Sequence, residues 1–223
     1  MPGGGLLLWQ LADSAFPAGG FAHSGGLEAA LQHGAVTGVE ELQAFTRAAI
    51  RQGGHSGLPF VTAAYQNPRG VAELDSLCDA FLVNPVSNRA SRAQGRSFVT
   101  ACSRIFRSQS VDHLGRVIHG ESAICGHYAP LFGATLNALE VDRLVAQRLF
   151  LFLMSRTVTS AAVRLGLASA YDAQRLQAAI APEVDRTIEC CADLQPWDIA
   201  HTAPLIDLFQ STHDRLYSRL FQS

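Results

Sequence analysis

The chain has 223 residues, of which 48% are hydrophobic, so it can bury a substantial core, and we expect one domain over residues 1–223. Its formal net charge of −2 at pH 7 gives no overall field that attracts nucleic acid or an anionic membrane, so neither is an expected partner. All seventeen basic residues are arginine, which excludes a P-loop and any mechanism that needs a lysine nucleophile.

The spacing of apolar residues is helical over most of the chain, without the sustained alternation typical of strands. We therefore expect an all-α fold, a compact bundle of about eight to ten helices. The first clear helix is "TGVEELQAFTRAAIRQGG", residues 37–54. Thr37 and Glu40 have the spacing of a capping box, and Gly53 and Gly54 are expected to end the helix.

Three further helices are predicted in the first half of the chain. The first two cover residues 59–67 and 71–83, and each is ended by an Asn-Pro pair. A long helix covers residues 86–106. An irregular stretch that contains glycine and histidine is expected to follow, over residues 107–126.

In the second half, residues 127–166 predict one short helix and then one long helix. Leu149–Met154 is apolar on all sides, which predicts a central helix buried by its neighbours. Ser169 is expected to cap the next helix, and Pro182 to interrupt it, leaving a second piece that ends near Cys191.

The last predicted helix lies in "APLIDLFQSTHDRLYSRLFQS", which begins at residue 203. Its apolar residues recur at helical spacing and predict a single stripe on a C-terminal helix. The stripe consists of Leu205, Leu208, Phe209, Thr212, Leu216 and Leu220.

Cysteine usage and the absence of long apolar runs bear on location. The five cysteines are Cys78, Cys102, Cys125, Cys190 and Cys191. Their odd number and the lack of a C-x-x-C motif fit neither a disulfide framework nor a zinc knuckle. The run Leu149–Met154 is too short to cross a bilayer, and residues 1–5 lack the positive charge of a signal peptide. We expect a cytoplasmic protein.

The histidines do not form a metal-binding motif. The closest cluster in sequence is His113, His119 and His127, with only Glu121 among them. We therefore expect no metal ligands, no cofactor of the chain's own and no catalytic residue. A metallohydrolase site that the fold assembles from scattered histidines is the remote alternative.

Nucleophile motifs are also weak. The chain has no G-x-S-x-G sequence, and Ser24 lacks the strand-to-helix elbow that a nucleophilic serine needs. Cys190 and Cys191 fall on a predicted helix, where adjacent side chains diverge by about 100°, so at least one is expected to pack inward.

Arginine residues mark one face of the long helix over residues 86–106. Arg89, Arg92, Arg96 and Arg107 fall within a narrow arc, and no acidic residue occurs between Asp79 and Asp112. The stripe is either a solvated helix face or a docking surface for an acidic protein partner.

The stretch "SAFPAGGFAHSGGLEAA", residues 14–30, is rich in turn-forming residues. Pro17 fixes φ, Gly19 and Gly20 permit a tight turn, and Glu28 is placed early in a helix that begins near Ser24. The stretch lacks the G-x-G-x-x-G order and the preceding strand of a phosphate-binding loop. From spacing alone it is a structural joint.

With its flanks, "LADSAFPAGGFAHSGGLEAAL" closely resembles the signature of the urease accessory protein UreF family. The resemblance rests on a Pro-x-Gly-Gly-aromatic segment that leads into Ser-x-Gly-Leu-Glu. The matching motif residues are Pro17, Gly19, Gly20, Phe21, Ser24, Gly26, Leu27 and Glu28. The blocks "NRASRAQGRSF", "RTVTSAAVRLG" and "YSRLFQS" also fit the family, so the resemblance spans residues 6–223.

The resemblance implies an all-α, dimer-forming scaffold that hydrolyses nothing itself. It would join the accessory protein UreD, also called UreH, to the GTPase UreG and help to load nickel into apo-urease. Nickel and GTP would be handled by the complex through those partners. The alternative function is regulation of the partner's GTP hydrolysis, in which an arginine is presented in trans.

The segment around residues 217–223 is the expected docking element for UreD, ordered by partner binding. Arginine and aromatic residues are common interface anchors, so Arg219 and Phe221, with the neighbouring Tyr217 and Leu220, are candidate partner-binding residues, as are Arg92 and Arg96. The alternative for Phe221 is packing onto the chain's own core.

Overall fold

The computed structural model describes residues 4–119 and 124–223. Within these ranges there are twelve α-helices and no strand, which confirms the all-α class. The helices are α1 (Gly4–Ala12), α2 (Leu27–Gln32), α3 (Val39–Ser56), α4 (Leu58–Gln66), α5 (Val71–Phe81), α6 (Pro85–Phe106), α7 (Gln109–His119), α8 (Tyr128–Ala138), α9 (Arg143–Arg164), α10 (Ala170–Ala179), α11 (Ala181–Cys191) and α12 (Pro204–Thr212). In the part of the chain so described, no helix has both the length and the apolar character needed to span a membrane.

Helix α9 lies at the centre of the bundle, as the apolar run in its sequence predicts. It packs against α3, α8, α10 and α11, and Leu149, Phe150, Leu151 and Leu153 are all buried. These four side chains point in different directions around the helix axis, so the helix must be covered on several sides.

An aromatic cluster joins α9 to α6 and α8. The ring centroids of Phe98, Tyr128, Phe132 and Phe150 lie 5.1–5.8 Å apart in neighbouring pairs. Aromatic pairs at this separation add roughly 0.5–1.5 kcal/mol each beyond the area that they bury. The cluster therefore fixes the relative positions of the three helices that carry it.

Helix α8 also approaches α4 closely, and glycine makes this possible. A Cβ atom on Gly133 would overlap the main chain of Val61 on α4. Gly95 on α6 is similar, because a Cβ there would lie 2.8 Å from the amide nitrogen of Tyr128. Both contacts are with backbone, which cannot move aside as a flexible side chain can.

The prediction that Gly53 and Gly54 end a helix is wrong. Both lie inside α3, which continues to Ser56. A Cβ on Gly53 would clash with the Met154 side chain on α9, and one on Gly54 would clash with Thr187 on α11. The two glycines serve close helix packing, a tertiary requirement that outweighs their low helix propensity.

The irregular stretch expected after α6 is also largely helical, because α7 covers Gln109–His119. Val111 is buried in the main core, and Leu114 and Ile118 are buried in a second apolar cluster with residues of α6 and α8. Their i, i+3, i+7 spacing was a helical signal present in the sequence. The remainder of that prediction, including Glu121, lies outside the described residues.

The predicted C-terminal helix is shorter than its apolar stripe. Helix α12 ends at Thr212, so Leu216 and Leu220 lie beyond it, and Leu205 and Leu208 are exposed while Ile206 is buried. The chain leaves the helix because its last residues turn back toward α2, as described below.

Ser169 caps α10 as predicted. Its hydroxyl accepts a hydrogen bond from the Asp172 amide at 3.1 Å, and the Asp172 carboxylate accepts one from the Ser169 amide at 3.3 Å. By contrast, the cap of α3 is Gly38, without a side-chain hydrogen bond, so the capping box expected at Thr37 does not form.

Substitutions at Ser169 and Thr37 should distinguish the cap that forms from the cap that does not form. Ser169→Ala is expected to lower the free energy of unfolding by about 1 kcal/mol. Thr37→Ala, on an exposed residue that caps nothing, is expected to leave it unchanged. Parallel denaturant titrations measure both, and equal losses in the two variants would contradict the assignment.

Candidate functional site

Three glycines shape the signature stretch. Gly19, Gly25 and Gly26 have φ angles of 78°, 63° and 89°, a left-handed conformation that glycine adopts without steric cost. A Cβ on Gly26 would also lie 3.3 Å from the carbonyl oxygen of Ile206 on α12. Because Gly26 is left-handed, the helix expected to begin near Ser24 begins instead at Leu27.

The other turn residues of the signature are less constrained. Pro17 is exposed, and Gly20 opens a 3₁₀ segment in which an added Cβ would meet the amide end of the Gln94 side chain at 3.1 Å and the Thr157 hydroxyl at 3.6 Å. Leu27 is fully buried and anchors α2 to the core. Gly19, Gly25 and Gly26, rather than Gly20, are therefore the positions at which the backbone conformation favours glycine.

The carboxylate of Glu28 is the chemical centre of the signature. It is 2% exposed and accepts hydrogen bonds from the amides of Leu220 and Phe221, at 2.6 and 3.2 Å. It also bonds Nε2 of the buried His213 at 3.0 Å. A buried carboxylate needs such partners, since burial without them is costly.

The neighbouring residues extend this contact to the last residues of the chain. The Ser24 amide donates to the carbonyl oxygen of Ser223 at 2.6 Å, and the Gln222 amide donates to the carbonyl oxygen of Ala22 at 2.8 Å. We term the contact between residues 22–28 and residues 220–223 the tail latch. The C-terminal segment therefore has partners within its own chain, and its ordering by a bound partner stays a prediction.

Arg164 at the end of α9 closes the tail latch from outside. Its guanidinium lies 3.8 Å from the ring centroid of Phe21 and 4.1 Å from that of Phe221, so one cation stacks on an aromatic ring from each end of the chain. Phe221 is buried. This is the core-packing alternative that the sequence left open, because no partner is needed to cover the ring.

His23 lies beside the tail latch, with Nδ1 2.5 Å from the Ser223 hydroxyl. Burial lowers the pKa of His23, and the nearby His213 and Arg89 lower it further. Because the ordinary pKa of histidine is about 6.5, the ring is neutral at pH 7, where one of its nitrogens can accept a hydrogen bond from the Ser223 hydroxyl. His23 therefore takes part in the contact between residues 22–28 and the C-terminal segment.

The outward residues of the tail point into solvent. Tyr217 is fully exposed and Leu220 is half-exposed, and Arg219 pairs with Asp214 at 3.3 Å. Asp214 also pairs with Arg89 of the arginine stripe, at 3.0 Å. The structure thus brings together the two sets of candidate partner-binding residues, which the sequence placed far apart.

The rest of the arginine stripe borders an open groove between α5 and α6. Arg92 and Arg96 line this groove together with Asn88 and Asp79, and Arg96 donates to the carbonyl oxygen of Cys125 at 3.2 Å. Arg107 does not belong to the stripe, because it ends α6 with a φ of 47°. Partner binding by Arg92 and Arg96 stays a prediction.

Of the three histidines that lie closest together in the sequence, the structure describes the side chains of His113 and His127. His113 is exposed on α7, and the side chain of His119 lies outside the described residues. His127 is fully buried, with Nε2 2.9 Å from Asp79 and Nδ1 3.1 Å from Ser91. Its nearest chemical neighbours therefore come from α5 and α6, which no spacing around the histidines indicated.

The pKa values of two groups near His127 are shifted. Hydrogen bonds from Asn88 and His127 lower the pKa of Asp79. Burial raises the pKa of the Cys125 thiol, and the carboxylates of Asp79 and Asp75 raise it further. Asp79 is therefore ionised at neutral pH, and Cys125 is a thiol when nothing else binds it.

The adjacent cysteines of α11 divide as expected. Cys191 is buried and Cys190 is exposed. Sγ of Cys191 lies 3.6 Å from Nδ1 of His55, but burial raises the pKa of Cys191 to about 11. A thiol with this acidity is a poor nucleophile at neutral pH, since the thiolate is the reactive form.

Comparison with known proteins identifies the family. The model of the UreF family matches residues 36–181. The chain belongs to the UreF family. It is 37% identical over 216 residues to "Urease accessory protein F" of Oryza sativa subsp. indica, covering 96% of this chain and 83% of the rice protein.

Other UreF proteins are similar over comparable lengths. "Urease accessory protein F" of Arabidopsis thaliana is 35% identical over 218 residues, which cover 96% of this chain and 91% of the plant protein. "Urease accessory protein UreF" of Bacillus sp. (strain TB-90) is 27% identical over 225 residues, covering 98% of each chain. The resemblance identified from the sequence motifs is thereby confirmed.

Within this UreF chain, the signature block and the C-terminal block are the two halves of one contact. Sequence reasoning identified Glu28 and Phe221 separately but missed the residues around them: His213 bonds Glu28, Arg164 stacks on Phe21 and Phe221, and Asp214 pairs with Arg219. No local pattern could have found them, since Glu28 and His213 are 185 positions apart.

Proposed function

We propose that this chain acts in urease maturation as a non-catalytic, homodimeric scaffold that links UreD/UreH to the GTPase UreG during nickel insertion into apo-urease. Nickel and GTP are handled through the partners, and the chain needs no cofactor of its own for this role. Membership of a family of urease accessory proteins supports the maturation role. The scaffold role is supported by the surface that the tail latch creates.

One observation carries the proposal: Asp214 connects the tail to the arginine stripe. Its carboxylate pairs with Arg89 on α6 and with Arg219 on the tail. A partner that contacts Tyr217 and Leu220 can therefore extend onto Arg92 without crossing an unrelated surface. Exposed aromatic and arginine side chains are the residue types that most often dominate binding energy at interfaces.

The tail and the arginine stripe are expected to contribute separately to this surface, and two double variants measure each contribution. Tyr217→Ala with Leu220→Asp removes exposed apolar groups and is expected to abolish co-purification with UreD. Arg92→Glu with Arg96→Glu is expected to weaken complex formation at least tenfold and to reduce its salt dependence, because exposed charges are screened within about 8–10 Å. Tyr171→Ala, on an exposed tyrosine of α10, is the control.

The measurement is a pull-down from cells that co-express the chain with UreD, UreG and apo-urease, with urease activity and circular dichroism on the same samples. Full recovery of the complex by folded samples of both double variants would overturn the proposed surface. The same samples report the rate of GTP hydrolysis by UreG. A rate that falls in the arginine variant, while the complex persists, would favour the regulatory alternative.

A further inference from the structure

Three different metal-binding groups meet where α5 faces the start of α8. Asp79 belongs to α5, and Cys125 and His127 lie just before α8. A carboxylate oxygen, the cysteine sulfur and an imidazole nitrogen all lie within 4.8 Å of one another. Within residues 4–119 and 124–223 this is the one such group of three.

The imidazole is held in a fixed orientation. His127 is fully buried, and its Nδ1 is engaged by the Ser91 hydroxyl at 3.1 Å. Its Nε2 therefore points at Asp79, 2.9 Å away. A histidine ligand typically has its second ring nitrogen bound in this way, which fixes the tautomer and the ring plane.

The supporting residues hold the other two groups as well. The backbone amides of Gly126 and His127 donate to the buried carboxylate of Asp75, at 3.0 and 2.6 Å, which fixes the segment that carries Cys125. The Asn88 side chain donates to Asp79 at 2.9 Å. The ligands are thus pre-positioned by hydrogen bonds outside the cluster, and not only by contacts within it.

The cluster is also reachable. Asp79 is partly exposed and lines the open groove that Asn88 and Arg92 border. The positive charge of Arg92, which lines the same groove, opposes the approach of a cation. An ionised carboxylate together with a thiolate supplies two negative charges, which offset both this arginine and a divalent ion.

The chemistry of the donors selects the ion. One sulfur, one imidazole nitrogen and one carboxylate oxygen form a set used for Zn²⁺, with a water in the fourth tetrahedral position. Mg²⁺ and Ca²⁺ require oxygen ligands, and square-planar nitrogen and oxygen sites suit Ni²⁺. We propose that Asp79, Cys125 and His127 bind one Zn²⁺ ion, in a site separate from any nickel in transit.

Cobalt provides a direct test on the purified chain alone, so the result does not depend on the urease partners. Co²⁺ bound by a cysteine gives a sulfur-to-metal charge-transfer absorption, and added Zn²⁺ is expected to remove this absorption by displacement. Cys125→Ser is expected to abolish it. Cys190→Ser, which alters an exposed cysteine on α11, is the matched control and should retain it.

The contributions of Asp79 and Asn88 are tested by measuring the affinity for Zn²⁺ in competition with bound Co²⁺. Circular dichroism on the same samples confirms folding. Asp79→Asn is expected to weaken Zn²⁺ binding about 100-fold, and Asn88→Ala, which removes a supporting hydrogen bond, about 10- to 100-fold. The proposal is overturned if the folded chain binds neither Co²⁺ nor Zn²⁺, or if Cys125→Ser keeps the charge-transfer band. In that case the cluster is a hydrogen-bond network only.

Discussion

Glu28→Ala is expected to lower the free energy of unfolding by about 3–5 kcal/mol, because each buried polar group left without its hydrogen-bond partner costs about 1–3 kcal/mol. The substitution leaves the buried His213 and the amides of Leu220 and Phe221 without their acceptor. For a chain of this length, such a loss corresponds to a decrease in Tm of roughly 6–20 °C. Thermal and denaturant unfolding followed by circular dichroism measure it.

Two further variants serve as comparisons for Glu28→Ala. Glu189→Ala removes an exposed glutamate from α11 and is expected to change the free energy of unfolding by less than about 0.5 kcal/mol. Glu28→Gln keeps one acceptor oxygen but places an NH₂ group against backbone donors, so it should fall between Glu28→Ala and the unmodified chain. If Glu28→Ala is as stable as Glu189→Ala, the tail latch does not stabilise the fold.

Gly133→Ala is expected to destabilise the chain by about 3 kcal/mol or more, at the upper end of the cost of overpacking a core. The new methyl group would overlap the main chain of Val61, so α4 and α8 must separate to admit it. The separation would also disturb the aromatic ring of Phe132, which neighbours Gly133 and packs in the central cluster.

The same substitution at Gly115 is expected to have the opposite effect on the free energy of unfolding. Gly115 lies in α7, and a Cβ there would meet nothing within 4 Å. Gly115→Ala is therefore expected to raise the free energy of unfolding by roughly 0.5–1 kcal/mol through helix propensity alone. Denaturant titrations of both variants provide the comparison. Equal effects would show that the α4–α8 contact does not depend on glycine.

Helix positions could be predicted from sequence wherever local chemistry decides them. The capping box at Ser169 and the proline at residue 182 mark the starts of α10 and α11, and the structure has both. Prediction failed where packing between distant segments decides. Gly53 and Gly54 look like a helix end, yet they remain in α3 because α9 and α11 approach them closely.

The site was predictable in parts but not as a whole. Composition and motif resemblance drew attention to Glu28 and to the tail around Phe221. The contact between them could not be predicted, because the Glu28 carboxylate and the Leu220 amide are separated by 192 positions and neither carries a local signal of the other. His127 shows the same limit, since Asp79 is 48 positions away.

The tail latch also has a consequence for biosynthesis. The residues that complete it follow the signature by almost two hundred positions, and a ribosome adds about 5–20 residues per second. The Glu28 carboxylate therefore emerges roughly 10–40 s before its backbone donors are made. During that interval α2 lacks the partners that stabilise it in the finished fold. This region can reach its final form only after residues 220–223 have left the ribosome.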